Sequence, residues 1–307
     1  MIQSVLSTLT QVIIPLSIPV IAGVLLVRFQ GMETKHLLTM VLYFLTPAMI
    51  FTNLSTAQIS FAELSRTVLF CLLNMSLMWG AALVVGKIFK LPDPELAGLT
   101  LISTFTNSVT YGMPLVFLAF GQLGLEKASV YVVFQMILIN TVGVYFAARS
   151  NFSIKQSIKS IFKLPTIYAA ILAVLLRFLQ VHLPAGIENG VSMVAQAHSP
   201  VMMTVLGAQM VSVKNANLEG KYSSTFWAGM SLRMLISPIL AILALYILGI
   251  DSTLFSVLLI LASMPVAVNA VILAEKFDAS PNTVSKCILW TTLSSFVILP
   301  VLITLVK

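Results

Sequence analysis

Two apolar runs, each about long enough to cross a bilayer, are interrupted by a small residue, a methionine and a proline: Gly112-Met113-Pro114 within residues 97–120 and Ser263-Met264-Pro265 within residues 253–274. Proline removes a backbone donor, its ring collides with the carbonyl four residues earlier, and the residue before it is pushed towards extended geometry. The first interruption is also polar, reading Asn107-Ser-Val-Thr-Tyr-Gly-Met-Pro114. In hydrocarbon a freed peptide group finds no water, so irregular backbone persists only where protein or a water-filled cavity surrounds it. A break that recurs 151 residues later therefore predicts a pair of discontinuous helices around a solute site.

The rest of the chain can supply the membrane setting. Of its 307 residues 59% are hydrophobic and 9% charged, with a mean hydropathy of +1.03, which excludes an ordinary soluble domain and indicates an all-α integral membrane protein. Net charge is +7, yet the basic residues sit between apolar runs rather than in a patch interleaved with exposed aromatics, so no nucleic-acid partner is expected. Ten runs approach the length of a span, at about 8–27, 37–56, 66–86, 97–120, 128–148, 165–182, 190–211, 224–248, 253–274 and 284–306. No Lys or Arg precedes the first run and no small-x-small cleavage site closes it, so it is expected to remain as a span. Cys71 and Cys287 lie inside apolar runs without metal-ligand spacing and are expected to be buried thiols.

Connections between spans 1–2, 3–4, 5–6, 7–8 and 9–10 hold twelve of the seventeen basic residues, including Arg149, Lys155, Lys159 and Lys163; the opposite side holds Arg66, Lys127, Arg177 and Lys307, and Arg233 lies within span eight. The positive-inside rule then puts the 149–163 connection in the cytoplasm and both termini outside, as expected of a multi-pass protein of the cell membrane. That connection is the chain's midpoint. Thr46-Pro47 in span two and Ser199-Pro200 in span seven repeat at an offset of 153, close to the offset of the two breaks. Residues 1–150 and 165–307 thus read as two five-span repeats around a linker, 151–164, and an odd number of spans per repeat requires the halves to insert in opposite directions.

Four segments carry a family resemblance: Asn107-x4-Gly112-x-Pro114-Leu115, Leu164-Pro165-Thr166-x-Tyr168, Arg233-x4-Pro238, and Pro265 running on to Ala274-Glu275-Lys276-Phe277. Together they resemble the auxin efflux carrier family, including its short bacterial members. The resemblance implies a scaffold of spans 1, 2, 6 and 7 and a moving transport domain of spans 3–5 and 8–10, with broken helices 4 and 9 crossing. It implies transport of a small organic carboxylate anion, auxin in plants and malate or malonate in some bacterial relatives, by elevator-type movement. It requires no cofactor, and leaves open a homodimer through the scaffold helices. The long hydrophilic loop of the large plant carriers shrinks here to residues 149–163.

Candidate substrate-binding residues are Asn107, Tyr111, Gly112, Pro114, Gln135, Asn140, His198, Pro265 and Asn269. Two half-helix N-termini would present unpaired peptide N–H groups and partial positive charge to a carboxylate, Asn107 and Asn269 could add amide donors, and His198 precedes a kink in span seven. Arg233 is the only full charge deep within a span, and clamping carbonyls at a half-helix end competes with neutralising the substrate as its role. No acidic residue lies mid-span, so no metal site is expected, and uniport or export of the anion is favoured over sodium- or proton-coupled symport. An intramembrane enzyme is the remaining rival, although the chain has no His-Glu-x-x-His, no Gly-x-Gly-Asp and no mid-span carboxylate pair.

Overall fold

A computed structural model describes residues 7, 9–57, 60–148, 162–181, 183–215 and 223–306. Most of the 151–164 linker, with Lys155 and Lys159, lies outside the described residues, as do Arg149, Lys221 and Lys307. The described residues are helical almost throughout. The first half runs α1 (Ile14–Gln30), α2 (Thr34–Met40), α3 (Thr46–Thr56), α4 (Phe61–Ile88), α5 (Asp93–Thr104), α6 (Met113–Leu138) and α7 (Val144–Ala148). The second runs α8 (Pro165–Phe178), α9 (Ala185–Asn215), α10 (Ser224–Ser231), α11 (Ser237–Ile247), α12 (Ser252–Ala262), α13 (Asn269–Phe277) and α14 (Pro281–Val306).

Several helices are continued through a wide π-type turn: Leu9–Ile13, Val41–Leu45, Ser108–Gly112 and Leu232–Ile236 each end two residues before a proline, at Pro15, Pro47, Pro114 and Pro238. A proline ring cannot sit against the carbonyl four residues back, and one turn of i→i+5 bonding widens the helix where that carbonyl would collide. Gly112 N–H and Met113 N–H accordingly reach back five residues, to the carbonyls of Asn107 and Ser108. Pro114 therefore does not break its span. The interruption lies nearer the N-terminus, where α5 ends, Phe105 is extended, Thr106 forms a bridge and Asn107 turns the chain (φ −77°, ψ 51°) into the helix that resumes at Ser108. Pro265, by contrast, stands inside the second interruption, between Ala262 and Asn269.

The two interruptions meet. Asn107 N–H donates to the carbonyl of Pro265 at 2.8 Å and Ala267 N–H to the carbonyl of Phe105 at 3.0 Å, forming a single antiparallel bridge centred on Thr106 and Val266. Proline at 265 is compatible with this pairing because the bridge uses its carbonyl and not its nitrogen. The residues facing one another across the centre are thus 160 apart, not the 151 that separates the two Met-Pro pairs.

Among the described residues six helices are long and apolar enough to cross a membrane: Thr10–Gln30, His36–Thr56, Phe61–Ile88, Ser108–Ala148, Ser224–Ile247 and Pro281–Val306. Ser108–Ala148, at 41 residues, exceeds one crossing and bends at Gly121, whose φ of 65° only glycine adopts without strain. The other predicted spans fall short for identifiable reasons. The fourth and ninth are divided by the crossing, α8 has only 14 residues, and α9 is long but diluted by Gln196, His198 and Gln209.

Away from the crossing, α1 packs along α9 and α3 along α8. Gly23 and Gly207 bring the first pair into backbone contact, since a Cβ on Gly23 would lie 1.9 Å from the carbonyl oxygen of Thr204 and one on Gly207 1.9 Å from that of Val20. Such small-residue contacts replace the hydrophobic effect as the source of helix adhesion in lipid. Cys71 and Cys287 are buried free thiols.

Candidate functional site at the helix crossing

The helices that resume after the two interruptions start on either side of the bridge, at Ser108 and at Asn269. The first N–H groups of any helix lack carbonyl partners within it, and the peptide dipoles add about half a positive charge at each N-terminus. Between these ends lies a small, half-enclosed cavity of ≈ 40 Å³. One wall is the first interruption and its helix start, Phe105 to Thr110; a second is Ala267, Val268 and Asn269; Gln135, Met136 and Ile139 of α6 and the turn after it close the third. No charged side chain lines it among the described residues.

Asn107 is 4% exposed and its amide nitrogen has no hydrogen-bond partner. Its backbone is fully engaged, the N–H with Pro265 and the carbonyl with the N–H groups of Tyr111 and Gly112, so the amide is carried on a fixed mount. A buried, unsatisfied donor costs about 1–3 kcal/mol, which makes this amide a strong seat for an acceptor. The neighbouring polar groups are already organised: Gln135 Nε2 donates to the Tyr131 hydroxyl at 2.8 Å, and that hydroxyl meets Thr106 Oγ1 at 3.5 Å.

Arg233 holds the opposite ends of the half-helices. Fully buried, it donates through Nη1 to the carbonyl of Ser103 at 2.7 Å, near the C-terminus of α5, and through Nη2 to the carbonyl of Ala262, the last residue of α12, and to the Ser237 hydroxyl. Ser237 Oγ itself donates to the same Ala262 carbonyl at 2.8 Å. The guanidinium thus faces the negative ends of the two helix dipoles, and it is not among the residues lining the cavity.

These features can be compared with known proteins. The family model described as membrane transport protein matches residues 9–157 and 148–303. The chain belongs to that family. It is the family of the auxin efflux carriers, which the four motifs already resembled. The chain is 28% identical over 282 residues to an uncharacterized transporter of Methanocaldococcus jannaschii, covering 87% of this chain and 88% of the relative. It is 29% identical over 262 residues to an uncharacterized transporter of Methanothermobacter thermautotrophicus, covering 83% of each.

In this family member the crossing gathers three of the nine residues singled out from sequence, Asn107, Gln135 and Asn269, around the cavity. The other six stand off it. Tyr111 is fully buried with its ring 6.0 Å from that of Phe296. Gly112 lets the helix approach α12, since a Cβ there would come 2.8 Å from the Leu261 side chain. Asn140 donates to the Met136 carbonyl at 2.8 Å, and Pro114 and Pro265 act through the backbone geometry described above. His198 is fully buried against Thr46, Nε2 to Oγ1 at 3.2 Å, so α3 and α9 touch beside their Thr-Pro and Ser-Pro sites. Thr106, Ser108, Thr110, Met136 and Ile139 line the cavity without having been singled out as substrate contacts. Being polar and next to Asn107 was the available signal for the first three, whereas Met136 and Ile139 are ordinary apolar helix residues.

Proposed function

We propose that this membrane transport family protein moves a small organic carboxylate anion by elevator-type alternating access, as a uniporter working in the direction of export rather than as an enzyme. The observation that carries the reading is the unpartnered, buried Asn107 amide set between two convergent helix N-termini in a cavity with no charged lining. Backbone N–H groups, a neutral amide and about half a unit of positive charge from each helix suit a carboxylate, and they leave nothing that would hold a cation by charge.

The architecture proposed is ten spans in two inverted repeats, residues 1–150 and 165–307. Two reciprocal features support it. At the bridge, Phe105 accepts from Ala267 as Pro265 accepts from Asn107, and α1 packs on α9 as α8 packs on α3. In the proposed arrangement a two-fold axis through Thr106 and Val266 would relate each member of these pairs to the other. Spans 1, 2, 6 and 7 would form the scaffold, able to pair with a second copy, and spans 3–5 and 8–10 the moving domain. The protein would lie in the cell membrane with both termini outside and the 149–163 connection cytoplasmic, in keeping with the basic-residue tally.

Flux of radiolabelled carboxylates into proteoliposomes tests the reading, with sodium replaced by choline, with and without a proton ionophore, and under an imposed potassium–valinomycin potential. Saturable flux that persists without sodium or a pH gradient and follows the potential is expected, since a membrane potential acts on each charge with about 2.3 kcal/mol per 100 mV. Flux that requires sodium would instead favour a symporter using neutral oxygens, for which the buried and unpartnered Asn74 Oδ1 is a starting point. Product formation without flux would end the transporter reading.

A further inference from the structure

Between α3, α8 and the start of α9 runs an open apolar groove of ≈ 540 Å³, floored by residues such as Tyr43, Pro47, Ala169, Leu172 and Val191. It continues into a second, more polar pocket of ≈ 580 Å³ that shares Phe51, Leu176 and Leu183 with it and adds Ser55, Thr56, Arg177, Gln180 and Glu188. Arg177 lies in the last turn of α8 and Glu188 in the first turn of α9, so both sit where the chain turns between two helices, at the level where apolar segments give way to headgroups. Both are exposed.

The geometry points to a bound glycerophospholipid whose headgroup carries both a phosphate and an ammonium, as in phosphatidylethanolamine. The apolar floor accommodates acyl chain, which gains nothing by leaving lipid for a charged surface but packs well against aliphatic and aromatic side chains. At the polar end a guanidinium matches phosphate geometry, and a carboxylate in the same pocket matches a primary ammonium. Neither an uncharged nor a purely anionic headgroup uses both charges: an anionic lipid would satisfy Arg177 but meet Glu188 with like charge. The groove belongs to helices distinct from those that line the crossing cavity, so a lipid there would contact the α1–α3 and α8–α9 side of the molecule without entering the substrate site.

Native mass spectrometry of the delipidated full-length protein, titrated with phosphatidylethanolamine or phosphatidylglycerol of matched chains, tests this assignment. The unaltered protein should retain the ethanolamine lipid preferentially. Arg177→Gln should weaken retention of both lipids about fivefold, the equivalent of one exposed ion pair, and Glu188→Gln should abolish the preference between them while leaving phosphatidylglycerol retention the same or higher. Ala169→Phe, which fills the floor, should release both; if that variant does not fold, the two exposed end variants still decide the matter. Equal retention of the two lipids by the unaltered protein, or retention unmoved by Arg177→Gln and Glu188→Gln, overturns the assignment. A dimer without retained lipid that Ala169→Phe dissociates also overturns it and gives the groove to a second copy of the chain.

Discussion

The two interruptions at the crossing do the same structural job with different residues. In the first, an ordinary apolar-polar sequence, Phe105-Thr106-Asn107, leaves helical geometry, and the proline comes seven residues after the asparagine, absorbed by a π-type turn. In the second the proline is in the extended segment itself, and the position related to Asn107 by the bridge is Ala267. What both share is the partner rather than the residue: each interruption is held open by the other's backbone, through Asn107 to Pro265 and Ala267 to Phe105. A proline is therefore neither necessary nor sufficient for a break at membrane depth. A peptide group that loses its helical partner needs another one, and here the facing interruption supplies it. The difference also makes the site unequal, because only the first interruption brings a buried amide donor to the cavity, while Asn269 on the second is exposed.

The largest expected effect is on what the two interruptions have in common. Arg233 bonds to the carbonyls of Ser103 and Ala262, so it ties both half-helix C-termini together. Arg233→Ala leaves those carbonyls buried without their charged donor, and hydrogen bonds to charged groups are worth about 1.5–3 kcal/mol each. A loss of roughly 3 kcal/mol or more is expected, visible as a collapse of the monodisperse peak in size-exclusion chromatography and a lower unfolding temperature, with Arg233→Lys intermediate. A variant that stays folded and loses only anion binding would move Arg233 into the substrate site.

Next comes the inequality between the two sides. Asn107→Ala removes the unpartnered donor and leaves the backbone bridge intact, so binding of a carboxylate substrate should weaken by about 1.5–3 kcal/mol, at least tenfold, in protein with unchanged stability. Asn269→Ala removes an exposed amide at a helix start and should weaken binding less. Isothermal titration of the two variants side by side measures the difference, and equal losses would mean that the site is more symmetric than the burial of the two amides implies.

How much of this was legible follows from the range of each interaction. The position of Asn107 could be read because a polar residue in an apolar run is a local signal, and the convergence of two helix starts because the break recurs. The α1–α9 contacts of Gly23 with Thr204 and of Gly207 with Val20 could not, since neither glycine marks the distant backbone it meets by any periodicity. The bridge itself left no mark in the sequence: Met-Pro is conspicuous and Thr106 is not, and the backbone pairing that stabilises the break depends on a segment 160 residues distant. Gln135 was read as a site residue, whereas its bond to the Tyr131 hydroxyl, which fixes the amide at the cavity wall, was not read.

The smallest effects distinguish the two prolines. Pro114 lies at the start of α6, just after the π-type turn, a place where proline is well tolerated and where alanine would add an N–H able to rejoin the helix. Pro114→Ala should change stability by no more than about 0.5 kcal/mol and leave carboxylate uptake nearly intact. Pro265 sits within the pairing, so Pro265→Ala keeps the carbonyl that accepts from Asn107 but frees the φ angle that the ring fixed, at a loss of about 0.4–1 kcal/mol. The order of the two is what matters. If Pro114 were the residue that broke its span, replacing it would let 97–120 close into one continuous helix, withdraw the first helix N-terminus from the cavity and abolish uptake, while Pro265→Ala would do the same for the second. Uptake in proteoliposomes reconstituted with each variant therefore separates a crossing held by mutual backbone pairing, which tolerates both changes and Pro114→Ala best, from one imposed by proline, which tolerates neither.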